Sequence, residues 1–194
     1  MRFMRYVVFD LETQNTFDDV GKNEPALLDI SVASVYDSET DKYTTVLHTE
    51  LDTLWPIFEK ADALVGYNSN HFDIPLLNKY YPGDLSHVKS IDLLESIRLS
   101  LGKRLRLDGV AEATLGTKKS GHGLQAIMWW RQGEIEKIKQ YCEKDVEITK
   151  RLFDYAMKNG EVFYKDGGKK RTIPIDTSTW GENTNHALTH ALPF

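Results

Sequence analysis

The chain carries one cysteine, Cys142, in 194 residues. A single thiol excludes an internal disulfide framework and any zinc site built on cysteines. Cys142 sits within a helical apolar pattern and reads as a small buried hydrophobe rather than a nucleophile. Apolar runs long enough to span a bilayer, about 20 residues, are also missing. The N-terminal Met1-Arg2-Phe3-Met4-Arg5 has no apolar stretch followed by a small-residue cleavage site, so the expected location is a reducing cytoplasm. Positive charge is in deficit, with a net of −5, which excludes binding to nucleic acid by overall charge. Any such contact must come from local patches, at Lys103-Arg104 with Arg106, at Lys118-Lys119, or at Lys169-Lys170-Arg171. Each of these also reads as ordinary solvated surface. No internal repeat or low-complexity tract is present.

What remains is an ordinary globular composition, 41% apolar and 27% charged, with no shift that would mark a second folded unit. We expect one domain over residues 1–175. The segment from Thr177 to Phe194 is polar and without period, so residues 176–194 read as a tail, disordered or laid over the surface.

Arg5 to Glu12 is β-rich and continuous enough for a central strand. Leu28 to Tyr36 alternates and reads as a second strand, Asp37 to Asp41 is turn chemistry, and Tyr43 to His48 completes a hairpin. Asp52 or Thr53 is placed to cap a short helix through Lys60. Ala63 to Tyr67 is a fourth strand. Asp73 then leads a helix with Pro75 early in it, closed by Pro82-Gly83. Val88 to Ile91 is a fifth strand, with Asp92 capping the helix that follows. Asp108 to Leu115 and Gln125 to Arg131 read as helices around the glycine-containing stretch from Gly116 to Gly123. A long helix begins at Ile135, and Gly160 to Tyr164 with Lys170 to Ile175 frame a last hairpin. Three hairpin-linked strands followed by strands alternating with helices imply an α/β mixed sheet flanked by helices, plus a C-terminal β-hairpin.

Against this apolar background four acids stand out. In the long helix, Ile138, Cys142, Val146, Thr149 and Leu152 recur at three- and four-residue steps, and Asp145 falls on or beside that face. A carboxylate there costs several kcal/mol unless it is paired or binds metal. Asp10 and Glu12 lie in Val7-Val8-Phe9-Asp10-Leu11-Glu12-Thr13, two apart on a strand, so both project from one face of the sheet. Asp73 lies in His71-Phe72-Asp73-Ile74-Pro75, five residues after Asn68; at a helix start it reads equally as an N-cap. Carboxylates arranged to clasp a hard divalent cation explain all four. Tyr141 is one helical turn from Asp145, where it could orient a water beside the metal or simply fill the core. His71 reads as a phosphate contact or as a cap on its own loop, and Phe72 as a pocket wall or as core packing.

Asp10-Leu11-Glu12-Thr13, Asn68 to Asp73, and Tyr141 to Asp145 resemble the three exonuclease motifs of the DEDDy 3′–5′ exonucleases, a branch of the ribonuclease H-like superfamily. The likeness runs from about Tyr6 to Tyr155 and is greatest to stand-alone relatives of the family B DNA polymerase exonuclease domain. It implies a five-stranded sheet with three antiparallel strands followed by parallel ones. It also implies two divalent cations, Mg2+ or Mn2+, held by Asp10, Glu12, Asp73 and Asp145, with Asp10 bridging both and Tyr141 positioning the attacking water. Leu11 would pack on the terminal base, Glu12 and the backbone near Thr13 would meet the 3′ hydroxyl, and Asn68, His71 and Phe72 would contact substrate. The implied activity is metal-dependent hydrolysis at 3′ ends of single-stranded DNA or RNA. A nucleic-acid-binding module with weak or no catalysis, and a structure-specific endonuclease on the same acids, are the alternatives.

Overall fold

Alternation along the first strand decides how the layers stack. Val7, Phe9 and Leu11 point into one apolar cluster, Val8 into another on the opposite side. A strand buried on both faces must be central, and it is. The structure, a computed structural model, describes residues 4–117 and 123–182. It begins with β1 (Tyr6–Thr13), α1 (Phe17–Val20), β2 (Ile30–Asp37) and β3 (Lys42–Leu47). After a 3₁₀ segment, His48–Leu54, come α2 (Trp55–Glu59), β4 (Ala63–Gly66), α3 (Asp73–Leu77), β5 (Ser90–Asp92) and α4 (Leu93–Leu101). Then follow α5 (Leu107–Leu115), α6 (Gly123–Gln132), α7 (Ile135–Asn159), β6 (Glu161–Asp166) and β7 (Lys169–Pro174).

The five-stranded sheet has the order β3-β2-β1-β4-β5. β2 is antiparallel to both β1 and β3, whereas β4 runs parallel to β1 and β5 parallel to β4. This is the mixed sheet that the element pattern implied. β6 and β7 form a separate two-stranded antiparallel sheet, again as the sequence indicated. On one face Phe58, Leu76 and Leu77 from α2 and α3 cover Phe9 and Leu64. On the other, Val146, Leu152 and Phe153 of α7 pack with Val8, Val65 and Ile91, together with Val162 and Ile173 from the hairpin. α7 ends at Gly160, whose φ of 68° suits glycine and whose N–H donates to Ala156 O at 2.8 Å.

The connection between β1 and β2, residues 14–29, contains α1 and a 3₁₀ turn, Pro25–Leu27. One local expectation changes. α2 is not capped by Asp52 or Thr53. The 3₁₀ segment feeds directly into it, Leu54 sits at the cap position, and Thr53 Oγ1 donates to Glu50 O at 2.7 Å. A backbone already turning through the junction leaves no free helix start for a side chain to cap. Farther on, Trp180 stacks on Phe153 with ring centroids 5.5 Å apart, and Lys89 Nζ donates to the carbonyls of Thr179, Trp180 and Glu182. Lys118-Lys119 and the last residues of the tail, 183–194, lie outside the described residues. Among the described residues no helix is long and apolar enough to cross a membrane.

Candidate active site

The side of β1 that carries Val8 also carries Asp10 and Glu12, and that side faces α7. One carboxylate oxygen each from Asp10, Glu12 and Asp145 lie within 4.8 Å of one another. Two period-2 positions on a strand and one position on the helix packed across it therefore meet at the carboxyl end of β1. Asp73 arrives from the other layer. Its Oδ1 accepts the Leu11 N–H at 3.2 Å, across 62 positions of sequence. The position before α3 belongs to Phe72 and carries no side-chain cap, so the N-cap reading of Asp73 gives way to a tether onto β1.

Burial and mutual repulsion set the protonation of this cluster. Burial first, then Asp73, Asp145 and Glu12, raise the Asp10 carboxyl well above the ordinary range, opposed only in part by the Cys142 thiol. Glu12 rises likewise through burial, Asp145 and Asp73. Asp73 is pushed up to about 7 by burial and by Asp92, with the Leu11 amide pulling the other way. A divalent cation would favour the ionised form of these carboxyls, because its charge offsets both the cost of burial and their mutual repulsion. An all-oxygen donor set suits a hard ion. The residues present therefore fit such a metal.

Cys142 is fully buried, as its helical position implied, but it also acts on the site. Its Sγ donates to Asp10 O at 3.3 Å and approaches Asp10 Oδ2 at 3.7 Å. Burial raises its thiol pKa, which keeps it a neutral donor. Tyr141 lines the same space, held by an edge contact to Trp129 of α6 at 6.0 Å between centroids. Burial, then Asp145, Glu12 and Asp10, raise its hydroxyl pKa, so it remains protonated.

The carboxylates open into a cavity of about 450 Å³. Its apolar wall is formed by Leu11, Phe17, Leu28, Phe72, Leu124 and Ile127, and Phe17 meets Phe72 edge-on at 6.1 Å. Thr13 and Asn68 also line it. His71 does not; it lines a neighbouring pocket of about 290 Å³ with Arg98 and Arg104, and Asn68 borders both. The sequence reading missed the wall contributed by residues 15–17. Its signal was present as Thr16-x-x-Asp19, a capping box in which Thr16 N donates to Asp19 Oδ2 at 2.8 Å and Asp19 N to Thr16 Oγ1 at 3.2 Å.

The loop that carries Asn68 to Asp73 is built by close approach and a clamp. A Cβ on Gly66 would stand 2.4 Å from Ser69 Cβ and Oγ, so the chain folds back there only because the side chain is absent. Asn68 takes a left-handed φ of 69°, which asparagine tolerates better than most residues. Asp92, besides capping α4 through Leu94 N at 2.9 Å and Glu95 N at 3.2 Å, accepts Asn68 N at 2.8 Å and Asn70 N at 3.1 Å. The expected cap of one helix thus also anchors the loop leading into another.

A family model described as RNase_H superfamily matches residues 7–157. Among solved structures, the chain is similar to E. coli Exonuclease I in complex with a 5cy-dT13 oligonucleotide, at 13% identity and a TM-score of 0.47. That match covers 81% of this chain and 41% of the other, so the chain spans less than half of that protein's length. No curated protein sequence matches the chain.

Proposed function

The chain belongs to the RNase_H superfamily, and from that premise we propose that it is a metal-dependent nuclease that removes nucleotides from the 3′ ends of single-stranded nucleic acid. The observation that carries the reading is the close trio of Asp10, Glu12 and Asp145, with oxygens within 4.8 Å, at the floor of a cavity whose other wall is apolar. Carboxylates on one side and rings on the other suit a nucleotide end, with its phosphodiester at the acids and its base on the hydrophobic wall.

In this proposal Asp10, Glu12 and Asp145 would hold a divalent ion, and Asp73 would help to hold a second beside Asp10. When bound, such ions lower the pKa of water and stabilise the oxygen that leaves the phosphodiester. Mg2+ and Mn2+ both suit oxygen donors of this kind. The Tyr141 hydroxyl stays neutral, so its task is to orient the attacking water by hydrogen bonding and not to take its proton. Cys142, also neutral, holds the Asp10 carboxylate in place. Leu11 and Phe72 stack on or flank the terminal base, and the backbone near Thr13 and Glu12 meets the terminal hydroxyl. Asn68, at the rim shared by the two pockets, contacts the strand. His71 serves the neighbouring pocket, where a phosphate farther along the strand is its natural ligand.

The test uses a 5′-labelled single strand, a circular strand and a 3′-phosphorylated strand with millimolar Mg2+ or Mn2+. A descending ladder from the labelled strand, slower loss of the phosphorylated strand and an intact circle are expected; chelator and Asp10→Ala each abolish the ladder and leave all three strands uncut. Internal cuts in the circle would replace the exonuclease by an endonuclease on the same acids. Binding without hydrolysis would leave a nucleic-acid-binding module.

A further inference from the structure

Two basic stretches far apart in sequence converge in the fold. Arg104, between α4 and α5, contacts Asn68 Oδ1 through its guanidinium, and Asn68 lines the carboxylate cavity. Its neighbour Lys103 lies over the Tyr164 ring of β6, with Nζ 4.7 Å from the centroid. Tyr164 pairs across the hairpin with Arg171, and two residues on, Asp166 pairs with Lys169. Positions two apart share a face, so Tyr164, Arg171, Lys169 and Asp166 lie on one side of the hairpin, with Asp166 the one acid of that face beside Lys103, Arg171 and Lys169. The inner end of that face, Val162 and Ile173, is buried in the core. Its outer end reaches solvent, and Lys103, Arg104, Lys169 and Arg171 are all exposed. At the start of the row lies the small pocket with His71 and Arg98, whose acids are already engaged: Asp92 by backbone amides, Glu95 by Asn70 Nδ2 at 2.6 Å.

A row of cations leading from a cavity mouth, on a chain of net charge −5, is a local attraction for a polyanion. The cations follow one another by adjacency, Arg104 at Asn68, Lys103 at Tyr164 and Arg171 opposite Tyr164, with an aromatic ring among them, which fits a flexible single strand better than a rigid duplex. We infer that Arg104, Lys103, Arg171 and Lys169 form the path of the 5′ portion of a single strand whose 3′ end occupies the carboxylate cavity, with the β6–β7 hairpin as its docking arm. This rests on the exonuclease reading, and it adds a dependence on strand length. Short oligonucleotides fill the cavity alone, whereas longer ones also gain the row.

The experiment compares Lys103→Ala/Arg171→Ala with a control pair, Lys42→Ala/Lys60→Ala, at the opposite end of the sheet. Affinity for labelled strands of roughly four and roughly twenty nucleotides is measured in chelator over a salt series. For the longer strand the row variant binds at least about tenfold more weakly, and its log–log salt slope flattens by about 1.4, about 0.7 for each phosphate no longer neutralised. The short strand and the control pair show no change. With metal present, the row variant slows hydrolysis of dilute long strand and leaves hydrolysis of the short one unaltered. Lys103→Gln/Arg171→Gln, which keeps longer polar side chains, repeats the binding measurement if the alanine pair melts early. Unchanged long-strand affinity and slope, equal weakening for both lengths, or blunt duplex competing as well as single strand would each overturn the path. Absence of any hydrolysis with the length-dependent weakening intact would instead remove the exonuclease reading and leave the row as a strand-binding surface.

Discussion

Lowering the pH should stabilise this protein in metal-free buffer, the reverse of what paired surface carboxylates do. Asp73 has a folded pKa of about 7 against an ordinary 3.8, raised by burial and by Asp92. Between those values the folded state keeps a proton that the unfolded chain has released, so stability falls as pH rises. Below about 3.8 both states are protonated and above about 7 both are ionised, which makes the slope flat at either end. At about 1.4 kcal/mol per pH unit, Asp73 alone removes on the order of 4 kcal/mol across the interval, more than half of it between about pH 5 and about pH 8. Asp10 and Glu12 are shifted in the same direction and add to the slope. Asp73→Asn cannot release a proton, while its amide oxygen can still accept the Leu11 N–H. Urea denaturation in chelator, at several pH values in this window, should show wild type weakening toward alkaline pH. Asp73→Asn should flatten that trend and be the more stable protein near its alkaline end. Equal wild-type stability across the window, or an unaltered slope in Asp73→Asn, would refute the picture of a buried carboxylate cluster under strain.

Adding Mg2+ or Mn2+ at the alkaline end should raise the melting temperature, by the equivalent of about 2.7 kcal/mol at a hundredfold excess over Kd; identical melts with and without metal would remove the metal site. Tyr141→Phe should lower turnover roughly a hundredfold while preserving the metal-induced rise in melting, because the hydroxyl orients water and ligates nothing; an unchanged rate would make Tyr141 a packing residue against Trp129. Gly66→Ala should cost about 1–3 kcal/mol, since Ser69 lies where the new methyl must go and its Cβ cannot swing away; wild-type stability in urea would show that the loop shifts freely. Asp92→Ala should cost about 3 kcal/mol by stranding the amides of Asn68, Asn70, Leu94 and Glu95, and should lower activity through the displaced loop; reduced stability with full activity would separate the clamp from the site.

The order and type of the elements, α1 excepted, were legible in the amino-acid sequence because their causes are local. A run of β-branched and aromatic residues makes β1, a 3.6-residue period makes α7, and Asp92 marks a helix start through hydrogen bonds to near neighbours. The shared face of Asp10 and Glu12 also followed from strand period alone. Other features depended on residues distant in the chain. Whether Asp73 capped its own helix or reached β1 was decided by Leu11, 62 positions away, once the sheet had formed. Cys142 became a hydrogen-bond donor to Asp10 only because α7 packs across β1. The same packing brought Asp145 to Glu12, while the turn after β4 carried His71 into a different pocket from Phe72. Lys103 met Tyr164 because α5 and the hairpin dock on one side of the sheet. Local hydrogen bonding and periodicity act over a few residues and can be read along the chain. Which carboxylates share a cavity, and which of them stay protonated, depends on burial and on charges delivered by other layers, and those exist only in the assembled fold.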